Sequence, residues 1–105
     1  MVTKYSLKRK LYHRGSSYEV TIPKPLLWQF ENLSEVKLIF YKEKESWYIT
    51  LEKEANGISK KIYRRGDSYE TTLPRQMLFG LDLSKKYNVV FIPEKNRFKV
   101  VLENV

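Results

Sequence analysis

Arg14-Gly15-Ser16-Ser17-Tyr18-Glu19-Val20-Thr21-Ile22-Pro23-Lys24 is repeated, with conservative changes, as Arg65-Gly66-Asp67-Ser68-Tyr69-Glu70-Thr71-Thr72-Leu73-Pro74-Arg75. The two stretches lie 51 residues apart, and the match extends without a gap from residues 8–52 to residues 59–103, with 15 of 45 pairs identical. Chance does not place both Gly, both Pro and both Tyr-Glu pairs in register, so the chain is an internal duplication. Repeat 1 takes residues 1–54 and repeat 2 residues 55–105. The joint, residues 54–57, carries Asn56-Gly57, a strong turn signal with almost no linker length. The copies must sit close together.

Each copy reads the same way outward from that stretch. Tyr5, Leu7 and Leu11 alternate with Lys8, Lys10 and Tyr12, and Ile58 and Ile62 alternate with Ser59, Lys61 and Tyr63, the period of a half-buried strand. Gly15 and Gly66 mark a turn. A second strand sets Tyr18, Val20 and Ile22 on one face and Glu19 and Thr21 on the other. Pro23 then supplies the fixed φ of a helix start. Leu26, Leu27 and Phe30, with Met77, Leu78 and Leu81 in the second copy, form the apolar stripe of a short one-sided helix, which Gly80 weakens in copy two. Two further strands follow, with Val36, Leu38, Phe40 and Trp47, Ile49, Leu51 answered by Tyr87, Val89, Phe91 and Phe98, Val100, Leu102. Polar connections at residues 42–46 and 93–97 join them. Trp28, Trp47 and Phe98 are expected in the core.

A copy of about 45 residues is near the size below which one core rarely stands alone. The expected solution is a single pseudo-dimeric domain over residues 1–105, mainly β with two short helices. In it two β-β-α-β-β repeats intertwine as a pseudo-twofold barrel, and strands of one copy complete the sheet of the other.

Composition narrows the function. With 42% apolar and 14% aromatic residues the chain can fill a modest core, and its apolar runs are far shorter than the ~20 residues of a membrane span. No signal peptide is legible in the first ten residues, so a cytoplasmic location and no membrane partner are expected. There is no Cys and only one His, His13, whose counterpart is Arg64, so it reads as a basic surface position. No metal site or cofactor is expected. Glu19 and Glu70 have no second carboxylate, nucleophile or ligand spacing beside them, and an enzyme is not expected.

The net charge of +8 is segregated. Residues 1–25 carry six basic side chains and one acidic, residues 59–75 five and two, and the remainder sums to zero. That is a footprint for a polyanion, concentrated where the pseudo-twofold brings the copies together. Lys10, Tyr12 and Arg14 share a strand face, as do Lys61, Tyr63 and Arg65. A two-stranded ribbon fits the major groove, where Arg can pair with guanine and Lys can neutralise phosphate. The candidate DNA-binding residues are Lys8, Arg9, Lys10, Tyr12, His13, Arg14, Ser17 and Lys24 in the first copy. Those of the second are Lys60, Lys61, Tyr63, Arg64, Arg65, Ser68 and Arg75. Tyr12 and Tyr63 either contact DNA or pack at the strand edge, and Ser17 and Ser68 either bond phosphate or cap the turn. On the other sheet face of copy two, Val90, Ile92 and Val101 replace Ile39, Tyr41 and Thr50, the surface expected to serve self-association or a protein partner if one is used.

The β-β-α-β-β unit with its turn Gly, Thr-Ile-Pro-Lys or Thr-Leu-Pro-Arg and a short helix resembles the AbrB, SpoVT and MazE swapped-hairpin family of DNA-binding domains. The Gly-x-Ser-Tyr-x-x-Thr-[Ile or Leu]-Pro-[Lys or Arg] pattern is most similar to its archaeal branch. The resemblance implies a dimer fused into one polypeptide, and a sequence-specific double-stranded DNA-binding transcriptional regulator that reads two related half-sites. It also implies that the basic pairs Arg9-Lys10 and Lys60-Lys61 face DNA. Two departures stand out: Gly15 to Pro23 and Gly66 to Pro74 span eight residues where many members have five, and Leu27 and Trp28 replace basic residues found in some members. Non-specific packaging of duplexes, RNA binding and an antitoxin-like protein module are the competing readings. The MazE branch generally appends a flexible tail that wraps its toxin, whereas this sequence stops at Val105, directly after the last expected strand.

Overall fold

A computed structural model describes residues 6–30, 33, 36–51 and 56–105. Strands β1 (Leu7–Arg14) and β2 (Ser17–Thr21) form the first hairpin, followed by α1 (Lys24–Leu27), β3 (Lys37–Glu43) and β4 (Ser46–Thr50). The second copy supplies β5 (Ile58–Lys61), β6 (Tyr63–Arg65), β7 (Ser68–Thr72), a 3₁₀ turn (Arg75–Leu78), β8 (Tyr87–Glu94) and β9 (Arg97–Asn104). The fold is mainly β. All the strands join in one antiparallel sheet of order β5-β3-β4-β9-β8-β1-β2-β7-β6. Its two end strands, β5 and β6, are separated in the chain only by Ile62, so the sheet curls into a nearly closed barrel.

The ladders repeat at the offset of the sequence. β1 pairs with β8 through Leu7↔Phe91, and β5 pairs with β3 through Ile58↔Phe40, each partner moved on by 51 residues. The leading half of each copy's first strand therefore pairs with the other copy. Where the copies meet, Val20 lies opposite Thr71 and Tyr48 opposite Lys99, each facing its own counterpart. Two symmetric bonds reinforce the β2–β7 crossing: Ile22 N–H donates to Tyr69 O at 2.8 Å, and Leu73 N–H donates to Tyr18 O at 2.9 Å. Burial follows from this. Val20, Leu26, Leu38, Phe40, Ile49, Val89 and Phe91 form a single core drawn from both copies.

Differences between the copies have local causes. β1 runs unbroken through Leu11, which pairs with Val20. In the second copy Thr71 replaces Val20, its hydroxyl donates to the Lys61 carbonyl at 2.9 Å, and the strand splits into β5 and β6. Neither helix exceeds four residues. The first is an α turn closed by Trp28 N–H on Lys24 O, while the second, ahead of Gly80 at φ +82°, reaches only the 3₁₀ bond of Met77 N–H to Pro74 O. The expected connections at 42–46 and 93–97 contract to two-residue turns, Lys44-Glu45 and Lys95-Asn96, with Lys44 and Asn96 at positive φ.

One core assignment is overturned: Trp28 is 74% exposed, whereas Phe98 is buried and Trp47 half-buried. The stripe Leu26, Leu27 and Phe30 fills the inward side of the turn, so Trp28 falls off it. At the joint, residues 54 and 55 lie outside the described residues, but Gly57 has a clear role. A Cβ there would sit 2.5 Å from Phe40 O and 2.7 Å from Ile39 Cγ2, whereas one at Gly15 meets nothing within 4 Å.

Gly57→Ala should consequently destabilise the fold by about 1–3 kcal/mol, because the obstacle is backbone and cannot swing aside. Gly15→Asn, which needs only a tolerated positive φ, should cost about 1 kcal/mol or less. Urea unfolding measures both, with a shifted midpoint and unchanged slope expected for Gly57→Ala.

Candidate nucleic-acid interface

Cross-strand partners share a face, so the register of β1-β2-β7-β6 sorts the candidate residues. One face of this four-stranded ribbon holds Leu11, Val20 and Thr71 and closes the core. The other carries Tyr12 beside Glu19 and Thr72, Arg14 beside Ser17, Tyr63 beside Glu70 and Thr21, and Arg65 beside Ser68. Tyr12, Arg14, Tyr63 and Arg65 are thus brought together on the outward face.

At its centre are two buried carboxylates. Glu19 is 8% exposed and Glu70 5%. Arg14 Nη1 lies 2.8 Å from Glu70 Oε1 and 3.5 Å from Glu19 Oε1, while Arg65 places Nε 2.7 Å from Glu70 Oε1 and Nη2 3.5 Å from Glu19 Oε1. Each arginine therefore bridges the carboxylates of both copies. Carboxylates shielded from water demand such partners, because an uncompensated buried charge costs several kcal/mol (on the order of 3–5). The remaining lone pairs are also used: Tyr63 OH donates to Glu19 Oε2 at 2.7 Å, and Thr21 Oγ1 donates to Glu70 Oε2 at 3.4 Å. Tyr63 additionally shares a 2.9 Å bond with Thr72 Oγ1. Burial pushes the Tyr63 phenol above its ordinary range; the Thr72 bond opposes that shift and the Glu19 carboxylate adds to it. Its counterpart Tyr12 lies instead under the Arg14 guanidinium, 5.2 Å from ring centroid to carbon.

The network is neutral as a unit, which moves the excess charge elsewhere. Lys10 and Lys61 are exposed at equivalent positions, as are Lys24 at the start of α1 and Arg75 at the start of the 3₁₀ turn. Lys8 pairs with Glu103 at 3.1 Å. Arg9 and Lys60 are opposite the buried Val89 and Leu38, on the inward-directed face, half-buried. The two basic pairs thus divide between the faces: Lys10 and Lys61 point out, whereas Arg9 and Lys60 emerge at the barrel's side. His13 stacks on Tyr18, centroids 4.4 Å apart and planes 3° off parallel, and Arg64 Nε donates to Gly66 O at 2.9 Å. Among the described residues Arg9, Lys10, Lys24, Lys60, Lys61, Arg64 and Arg75 form no salt bridge, and the hydroxyls of Ser17 and Ser68 do not bond the turn. On copy two's other face, Val90 is already buried, Ile92 half-buried and Val101 37% exposed.

Two features escaped the sequence reading. A groove of about 790 Å³ beside α1 is lined by Arg9, Lys24, Trp28, Phe30, Asp67 and Tyr69 among others, joining the helix of one copy to the hairpin tip of the other. Its signal was the spacing of Trp28, two residues beyond Leu26 and off the apolar stripe. Across the barrel, Arg97 lies 3.7 Å over the Tyr48 ring and donates to Glu43 at 2.6 Å, Glu94 at 2.8 Å and Tyr41 OH at 3.0 Å. These bonds hold the guanidinium proton and raise its pKa. That cluster ties the β3–β4 and β8–β9 hairpins together. Among the described residues no helix is long and apolar enough to cross a membrane.

Comparison with protein-family models, with curated proteins and with solved structures returns no match.

Arg14→Ala, which strips one cation from a buried carboxylate pair, should lose about 1–3 kcal/mol of stability, reduced from the fully buried case because a third of Arg14 is exposed. Lys10→Ala should stay within about 0.5 kcal/mol. Thermal or urea unfolding without ligand separates them. For Tyr63 the folded phenol ionises above the unfolded one, so its contribution is intact below pH ~10 and is lost as pH rises through the folded value. Tyr63→Phe should flatten the alkaline fall in stability when unfolding is followed from pH 8 upward.

Proposed function

We propose that this chain is a small sequence-specific double-stranded DNA-binding transcriptional regulator, the single-chain equivalent of an AbrB-like swapped-hairpin dimer. The observation that carries this reading is the twofold set of exposed cations, Lys10 and Lys61 with Lys24 and Arg75, held at equivalent positions about one rigid ribbon. The exchange of first strands between copies supports the swapped-hairpin part of it.

In this mechanism the outward face of the four-stranded ribbon lies against the duplex with the Arg14 and Arg65 side chains reaching into the major groove, and the exposed lysines displace counterions from phosphates along its sides. Arg14 and Arg65 act differently. Arg14 gives only Nη1 to the carboxylates, and Arg65 gives Nε and Nη2, so other N–H groups stay available for a guanine edge. Glu19 and Glu70 hold those forks in place before DNA arrives, which lowers the ordering cost of binding. The copies differ at His13 and Arg64, Ser16 and Asp67, and Lys24 and Arg75, so the two half-sites are related but not identical.

The same neutral network favours a second reading: if the arginines stay committed to the carboxylates, the lysines alone give a sequence-independent architectural binder. Selection from a random duplex pool distinguishes the two. A regulator should yield two related half-sites bound at least about a thousandfold tighter than a scrambled duplex. Lys10→Ala should weaken all duplexes alike and reduce the salt slope by about one. No selected sequence, with every duplex weakening equally as salt rises, would establish the architectural reading, and absence of duplex binding at low salt would sink both.

A further inference from the structure

Trp28 and Phe79 are 74% and 77% exposed, among the most exposed large apolar side chains of the described residues. They occupy equivalent positions in the duplication, 51 residues apart. A single exposed aromatic is unremarkable on a protein surface, but the same exposure at both copies' equivalent positions is not explained by packing. The backbone that carries each ring is anchored. Trp28 N–H is bonded to Lys24 O at 2.9 Å, next to the buried Leu26 and Leu27, and Phe79 follows the buried Met77 and half-buried Leu78. The apolar stripe beneath each ring is already filled, so neither can fold back into the core.

Cations outnumber carboxylates near both positions. Arg9 and Lys24 line the Trp28 groove, where Asp67 is the one carboxylate among the lining residues, and in the second copy the exposed Arg75 opens the 3₁₀ turn that Phe79 follows. An apolar protein partner would have to desolvate these cations, whereas a nucleic acid presents phosphates to them and base faces to the rings. Trp28 also adjoins the hairpin tip of the other copy at Asp67 and Ser68, at the end of the outward ribbon.

We infer that Trp28 and Phe79 are paired wedges that insert between base pairs at two steps flanking the ribbon's site, bending the duplex. The inference rests on the DNA-binding reading above. Side chains inserted from the minor groove unstack a step at a cost of a few kcal/mol and bend the helix by roughly 20–90° toward the major groove, so the wedges would enter the minor grooves on either side of the ribbon and bring more backbone against its basic surface. Lys24 and Arg75 would each hold the phosphates next to the opened step. Two wedges about a pseudo-twofold give two kinks, and because Trp differs from Phe the kinks differ.

The test uses the full chain carrying Trp47→Phe, the residue copy two already has as Phe98, which leaves Trp28 as its single tryptophan. Saturating it with the selected duplex should quench Trp28 emission strongly through base stacking. Duplexes with a dye at each end should show shortened end-to-end distance with the unmutated chain. Trp28→Ala and Phe79→Ala should each weaken binding about fivefold to a hundredfold and together restore the straight duplex, with unchanged thermal stability. If Trp47→Phe disturbs folding, a fluorescent adenine analogue placed at successive steps reports the same unstacking with the native chain. Unquenched Trp28 at saturation, or a double variant that still binds and bends, overturns the inference while leaving the DNA-binding reading intact. The same holds if the substitutions change only self-association. Failure of the native chain to bind any duplex overturns the function itself and the wedges with it.

Discussion

Half of each copy's first strand has nowhere to pair within its own copy, and the whole structure is organised around that deficit. Leu7 to Lys10 find their partners on β8, and Ile58 to Lys61 find theirs on β3, so each sheet is completed only by the other copy. A copy this small cannot bury its apolar faces alone, and its unpaired edges would invite association. Covalent duplication supplies the partner at fixed stoichiometry. The two copies then share one core, and the barrel nearly closes through a single residue, Ile62.

The meeting line of the copies is also where the chain concentrates its strongest polar interactions. Glu19 and Glu70 lie buried under Arg14 and Arg65, with Tyr63, Thr21 and Thr72 taking the remaining hydrogen-bonding capacity. Charges held this way contribute little net stability against an apolar alternative, but removing one partner is costly. The arrangement therefore ties the geometry of the outward face to the correct seating of both copies. A surface whose arginines are fixed by carboxylates from both repeats is a surface defined only once the barrel is assembled.

Several expectations read from individual residues were changed by their neighbours. Hydrophobicity alone places Trp28 in the core, yet the one-sided turn that directs Leu26, Leu27 and Phe30 inward leaves Trp28 off that face. Arg14 and Arg65 read from the sequence as DNA contacts, and the structure adds that Glu19 and Glu70, one from each copy, hold both guanidinium groups. Arg9 and Lys10 formed a single basic pair in the sequence, and strand alternation sends them to opposite faces. The hairpin connections shortened because Lys44 and Asn96 adopt positive φ, a conformation the polar runs did not announce.

By itself the sequence determined the duplication, the β periodicity of both copies, the turns at Gly15 and Gly66 and the segregation of positive charge, because these are local or self-similar patterns. The 51-residue offset already required each element to have a counterpart. Only the tertiary structure decided which strand pairs with which, where the excess charge is left uncompensated, and that Trp28 and Phe79 stand outward. Those outcomes depend on residues brought together across long separations, such as Arg14 with Glu70 and Leu7 with Phe91, whose proximity no local pattern encodes.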